Sequence, residues 1–157
     1  MVNPVRIGPG KKTLCYHNEA MGEFKNETQD MKKMIADYME GGYLDNIIDM
    51  FKHDENLYAC VGYLMTDERM RVRVGATALI ETLRQESENV RKAVPYILPL
   101  LKDENPVTRG DAANLLGIIG DSDTIPYLEE MLSDKDGNVS LIAREAIDDI
   151  RSNPRSD

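Results

Sequence analysis

Tryptophan is absent from this sequence of 157 residues, and aromatic residues together make up only 6% of it. A core without large rings must be filled with Leu, Ile, Val, Ala and Met, which suits helix-on-helix packing better than a β-sandwich. Cysteine is scarce as well: Cys15 and Cys60 are too few for a disulfide framework, and free thiols point to a reducing compartment. The only histidines are His17 and His53, so no set of repeated His-Glu pairs can build a metal site. No stretch approaches the roughly 18 apolar residues of a membrane-spanning helix. Residues 1–10 carry two prolines, two glycines and no apolar run, unlike a secretory leader. There is no Gly-rich phosphate loop and no Ser/His/Asp or Cys/His set at readable spacing. Cations are the minority charge: 19 Lys and Arg against 28 Asp and Glu leave a net charge of −9, which repels a phosphate backbone. These absences predict an acidic cytoplasmic protein with no catalytic residues and no cofactor, and with neither nucleic acid nor membrane as a partner.

What the sequence has in quantity is helical periodicity. Residues 1–25 show no period, and Pro4, Gly8, Pro9 and Gly10 predict an irregular N-terminal arm. The triplet Asn26-Glu27-Thr28 matches a glycosylation sequon, but it reads better as a helix start, with Asn26 as cap and Gln29 reaching back. Apolar residues then recur at the spacing of one helix face in eight successive segments. Met31, Met34, Ile35, Tyr38 and Met39 form the first stripe, which Gly41-Gly42 ends. Later stripes include Leu57, Tyr58, Val61, Leu64 and Met65, then Val107, Ala112, Leu115 and Ile119, and last Val139, Ile142, Ala143, Ala146 and Ile150.

The segments repeat one another. Val94-Pro95-Tyr96-Ile97 returns 31 residues later as Ile125-Pro126-Tyr127-Leu128, and Asp103 returns as Asp134, Ala112 as Ala143 and Ile119 as Ile150. An offset of 36 places Asp67 on Asp103, Arg73 on Arg109, Ala76 on Ala112 and Leu79 on Leu115. Two such offsets, each spanning a helix pair, indicate a stacked helical repeat. The unit from Val94 to Gly120, with Pro95, Asp103, Arg109, Ala112 and Ala113, resembles HEAT repeats, in particular the short kind found in phycobilisome lyase subunits. The next unit keeps Pro126, Asp134 and Ala143 but has Ser140 at the Arg position, and the preceding one has Ala59 at the Pro position. The resemblance implies an all-α fold: a right-handed α-solenoid of about four stacked helix pairs over residues 26–153, with approximate repeats 28–52, 56–85, 92–120 and 123–151. It also implies a structural ladder between adjacent repeats, formed here by Asp67, Arg73, Asp103, Arg109 and Asp134. Pro99 is out of pattern and should kink the helix that Pro95 opens.

Function follows from the surface. In stacked repeats the second helices line the concave side, and helical phase places Arg73, Thr77, Glu81, Arg109, Ala113, Ser140, Arg144 and Asp148 there as candidate binding residues. Arg69 and Arg71, at a helix start where cations oppose the helix dipole, suggest a basic patch that Arg84 follows nearby. The expected role is a non-catalytic scaffold that binds another protein or peptide segment, as a monomer or as a weak homodimer through an end repeat. Two alternatives stand beside it. The resemblance to bilin lyases implies a lyase subunit, although fold alone is weak ground for chemistry. Residues 134–145 also resemble an EF-hand loop, with Asp134, Asp136, Asn138 and Glu145 as calcium ligands. Its sixth position is Val139 where Gly is needed, and the same residues are in register with the helical repeat.

Overall fold

A computed structural model describes residues 27–154, and it is helical, with no strand among the described residues. The expected irregular arm over 1–25, with Cys15 and His17, lies outside the described residues, as does the Asn26 cap. The chain divides into two compact units at Met34 and Ile35. Of the first unit only residues 27–34 are described, the opening of helix α1 (27–40). All that follows concerns the second unit.

Helix α1 ends where the sequence placed its stop. Gly42 has φ +86°, and the amides of Gly42 and Tyr43 donate to the carbonyls of Met39 and Tyr38 at 3.1 and 3.0 Å. This is the left-handed glycine stop, which returns two hydrogen bonds to carbonyls that have lost their helical partners. Helix α2 (Leu44–His53) follows, and His53 Nδ1 bonds the Asp49 carbonyl at 2.7 Å in its last turn. Three more limb pairs succeed it. Their second helices are long and regular: α4 (Met70–Glu86), α6 (Pro106–Ile119) and α8 (Gly137–Ser152). Their first limbs are composite. A 3₁₀ segment Glu55–Cys60 runs into α3 (Val61–Met65). A 3₁₀ segment Glu88–Ala93 precedes α5 (Val94–Ile97), and Leu98–Lys102 is again 3₁₀. The last limb is α7 (Ile125–Glu130) between 3₁₀ turns Ser122–Thr124 and Met131–Ser133. Pro99 has no N–H to offer the Pro95 carbonyl, so the helix stops at Ile97 and resumes in the tighter form.

Each limb after α2 starts with the same local device. Asp54, Ser87 and Asp121 accept a hydrogen bond from the amide two residues on, at 3.0, 3.1 and 2.9 Å. Asp67, Asp103 and Asp134 do the same before the second helices, at 2.9, 2.8 and 2.8 Å. These side-chain turns reverse the chain using only residues within the turn. Asn105 and Asp136 then cap α6 and α8 by accepting from the amides of Val107 and Asn138.

Within the second unit, α2 packs on α4, α4 on α6 and α6 on α8, while the three composite first limbs pack on their own second helices and the limb 55–65 also packs on the limb 88–102. That serial arrangement is an all-α stack whose core is one continuous apolar layer between the two rows. Phe51 and Tyr58 meet edge to face at 5.4 Å, and Val72, Leu79, Leu83, Leu115, Leu116 and Ile119 are all but inaccessible. Cys60 is buried in this layer. Helices α6 and α8 pack extensively on each other and approach closely. A Cβ added at Gly117 would lie 2.8 Å from the Ala146 Cβ and 2.9 Å from its Cα. Among the described residues no helix is long and apolar enough to cross a membrane.

Candidate interaction surface

The repeated Arg and Asp act first on the backbone. Arg109 donates through one guanidinium nitrogen to the carbonyls of Asp103 and Glu104, at 2.9 and 3.1 Å, and Arg73 treats Asp67 and Glu68 in the same way, at 2.8 and 3.0 Å. Both arginines therefore fasten the turn in front of their own helix. Ser140, in the equivalent place, returns only a short bond to the Gly137 carbonyl at 3.0 Å. Arg109 also makes a bidentate pair with Asp134 of the next repeat, 2.8 Å on each arm, with both side chains more than nine-tenths covered. The hydrogen bonds from Arg109 hold the Asp134 carboxyl below the usual carboxylate range. The matching rung from Arg73 to Asp103 is not made. The rung between α1 and the second repeat instead uses Arg69, which grips Asp67 with two nitrogens and reaches Asp37 with a third, all at 2.8 Å. Those bonds hold Asp67 low as well.

These contacts revise the surface read from helical phase. Arg109 and Ala113, expected on the open face, are buried, 5% and 0% exposed. An internal second helix is covered by a helix on each side and by its own first limb, so only a narrow strip of it reaches solvent. On α6 that strip is Val107, Asp111, Asn114 and Ile118, and Val107, expected in the core stripe, is 54% exposed. Glu81, Arg144 and Asp148 are exposed, and Arg73 and Thr77 are half-buried. The basic patch is largely neutralised within the chain. Arg69 lies between two aspartates, Arg84 pairs with Glu88 at 2.9 Å, and Arg71 donates to the Glu40 carbonyl at 3.1 Å.

The EF-hand reading meets a geometric obstacle. Helix α8 begins at Gly137, so the positions from Asn138 to Glu145 are already helical and cannot encircle an ion. Val139 is buried, Asp134 is engaged by Arg109, and Asp136 is the helix cap. No group of three or more His, Cys, Asp or Glu among the described residues is placed to hold a metal.

Two kinds of feature remain open on the surface. Met70 and Val74 on α4, Val107 on α6 and Leu141 on α8 are all more than half exposed, and each sits in the first two turns of a second helix. The other feature is a pair of clefts. One of about 650 Å³ lies along the first limbs, around Arg91, Pro95, Leu98, Asp121 and Tyr127. Its main charges are already spent, Arg91 on Asp121 and Lys92 on Glu55. The other lies between α6 and α8, in two lobes of about 230 and 290 Å³ that share Gly110, Asp111 and Ile142. Burial pushes the Asp111 carboxyl above its usual range, partly offset by Arg73. This groove was not among the sites expected from the sequence. Its signal was available: apart from Thr108 and Arg109, the only polar side chains within α6 are Asp111 and Asn114, three residues apart on one face.

Comparison with known proteins agrees with this geometry. The family model for HEAT repeats matches residues 61–148, from the start of α3 into the last third of α8. The comparison with curated proteins returns no match. The matched span covers more than half of the chain and the helix pairs stack in series, so the chain belongs to the HEAT-repeat family.

Proposed function

We propose that this chain is a protein-interaction module without catalytic activity of its own, and that it receives its partner on the face formed by the second helices. The observation that carries this reading is the apolar series Met70, Val74, Val107 and Leu141. Large apolar side chains gathered at the same end of three neighbouring helices favour a surface that is covered in use. Membership of a repeat family whose extended faces serve as binding surfaces supports it.

The test is affinity capture from native lysate with paired variants. Val74→Asp with Leu141→Asp should lose the partner, because each places a charge in the covered area. Tyr96→Asp with Tyr127→Asp, on the first limbs, should keep it. The reverse pattern assigns binding to the first limbs and refutes the proposal.

A further inference from the structure

The groove between α6 and α8 has a composition that selects among partners. Its floor is small and apolar, formed by Gly110, Ala146 and the half-buried Ile142, with Val107 at one end. Its rim carries Asp111 and Asn114 from α6 and Glu145 and Asp149 from α8. Glu145 and Asp149 make no side-chain hydrogen bond or ion pair with another described residue, and both are exposed. Among the described residues the cation that bears on Asp111 is Arg73, whose guanidinium is occupied by the carbonyls of Asp67 and Glu68. The contrast with the larger first-limb cleft is direct, since there the lining cations Arg91 and Lys92 are both paired, with Asp121 and Glu55. In the α6/α8 groove Glu145 and Asp149 have no ion-pair partner among the described residues and Asp111 is only partly offset by Arg73, while the floor beside them is apolar.

We infer that this groove binds a basic segment of a partner protein, with Lys or Arg stems lying over Gly110 and Ile142 and their cationic heads against Asp111, Glu145 and Asp149. The assignment rests on the interaction-module reading and narrows it to one site and one partner chemistry. A long cationic side chain suits both halves of the groove, because its alkyl part covers apolar surface while its head stays at the wet, charged rim. Complementary charge speeds encounter and rejects acidic segments, and such binding weakens as salt rises. The half-buried Asp111 is the most selective of the three, because a carboxylate partly removed from water gains most from a cation.

The probe is a short fluorescent peptide of alternating Lys-Leu and Lys-Ala pairs, compared with its Glu-for-Lys counterpart and with a Lys-Gly-Ser peptide of equal charge. Anisotropy titrations should show binding of the Lys-Leu peptide, no binding of the Glu peptide, and weaker binding of the Lys-Gly-Ser peptide. On the ¹⁵N-labelled full chain the Lys-Leu peptide should shift the amides of Gly110, Asn114 and Ile142 and leave those of Asn89 and Tyr127 in place. Glu145→Lys with Asp149→Lys should weaken binding by about tenfold or more, roughly 1.4 kcal/mol. Asn114→Arg, a cation set on the rim of the groove at an exposed position, should compete with the peptide without disturbing the core. Shifts spread along the first limbs, or affinity unchanged in both variants, overturn the assignment. Self-association of the free chain that Glu145→Lys abolishes gives the groove to a second copy and likewise overturns it. A captured partner that survives Glu145→Lys with Asp149→Lys but is lost with Val74→Asp overturns the groove while leaving the interaction module standing.

Discussion

The α6/α8 crossing makes a sharp prediction at Gly117, because two opposing effects of the same methyl group can be compared there. Glycine inside a helix is less favourable than alanine by about 1 kcal/mol, so Gly117→Ala should stabilise the protein if the position were open. The position is closed: the new Cβ would stand 2.8 Å from the Ala146 Cβ and 2.9 Å from its Cα. Ordinary carbon–carbon contact lies near 3.5–4.0 Å, so the helices must separate by about 1 Å at their closest point. Overpacking of this kind costs about 1–3 kcal/mol, and the clash meets backbone, which has no rotamer to change. The clash exceeds the propensity gain over most of that range, and Gly117→Ala is expected to lose about 1 kcal/mol. For a chain of this size that corresponds to a fall in Tm of about 2–4 °C. Gly117→Val adds bulk and a β-branch and should lose more. Adding Ala146→Gly to Gly117→Ala should recover part of the loss but not all, since the Ala146 Cα remains in the way. Urea unfolding followed by far-ultraviolet circular dichroism measures each value, with Gly137→Ala as the control. Gly137 has open space where its Cβ would stand, and its replacement should change stability by no more than about 0.5 kcal/mol. A Gly117→Ala protein as stable as the parent, with normal helix content, refutes the argument.

Four further outcomes are expected. Asp67 and Asp134 are held below the usual range by Arg69 and Arg109, so their contribution is fully present above the unfolded carboxylate value near 3.9 and is lost as pH falls through their lower folded values. A pH series of urea midpoints should show this acid limb, and Asp134→Asn should flatten it and lower stability at neutral pH. Asp111 behaves oppositely: burial raises its value, so its ionised form works against the fold at neutral pH and the penalty is relieved on acidification. Asp111→Asn should therefore raise Tm at neutral pH while weakening the Lys-Leu peptide in the same titrations. Asp136→Ala removes the cap of α8 and should cost about 1 kcal/mol by urea melt. Leu116→Ala, at a fully buried site, should cost about 2–5 kcal/mol in the same assay.

The repeat was legible because packing demands recur. The same core positions must be filled in each unit, so Ala76, Ala112 and Ala143 return at fixed offsets and reveal the stack. Pro95 and Pro99 disclosed the break in the third first limb, since a missing amide acts locally wherever the proline sits. The solvent-facing strip was harder to read. Arg109 has the formula of a surface residue and is buried, because it makes four hydrogen bonds to Asp103, Glu104 and Asp134 in a geometry that only the neighbouring repeat completes. Val107 has the formula of a core residue and is exposed, because it stands on the one face of α6 that no helix covers. The composite first limbs of 3₁₀ and α turns were not legible either. Both turn types place apolar residues three or four apart, and the choice between them is settled by packing rather than by pattern.

The side-chain turns at Asp54, Asp67, Ser87, Asp103, Asp121 and Asp134 have a consequence for synthesis. Each closes with a bond to an amide only two residues ahead, so the direction of the next limb is decided as soon as those residues have emerged. A growing chain can lay down one limb against the last without waiting for its far end. Nothing in this scheme fixes how many limbs there must be. A turn specified this locally is one that duplication can copy whole, so the length of such a stack is open to change one repeat at a time.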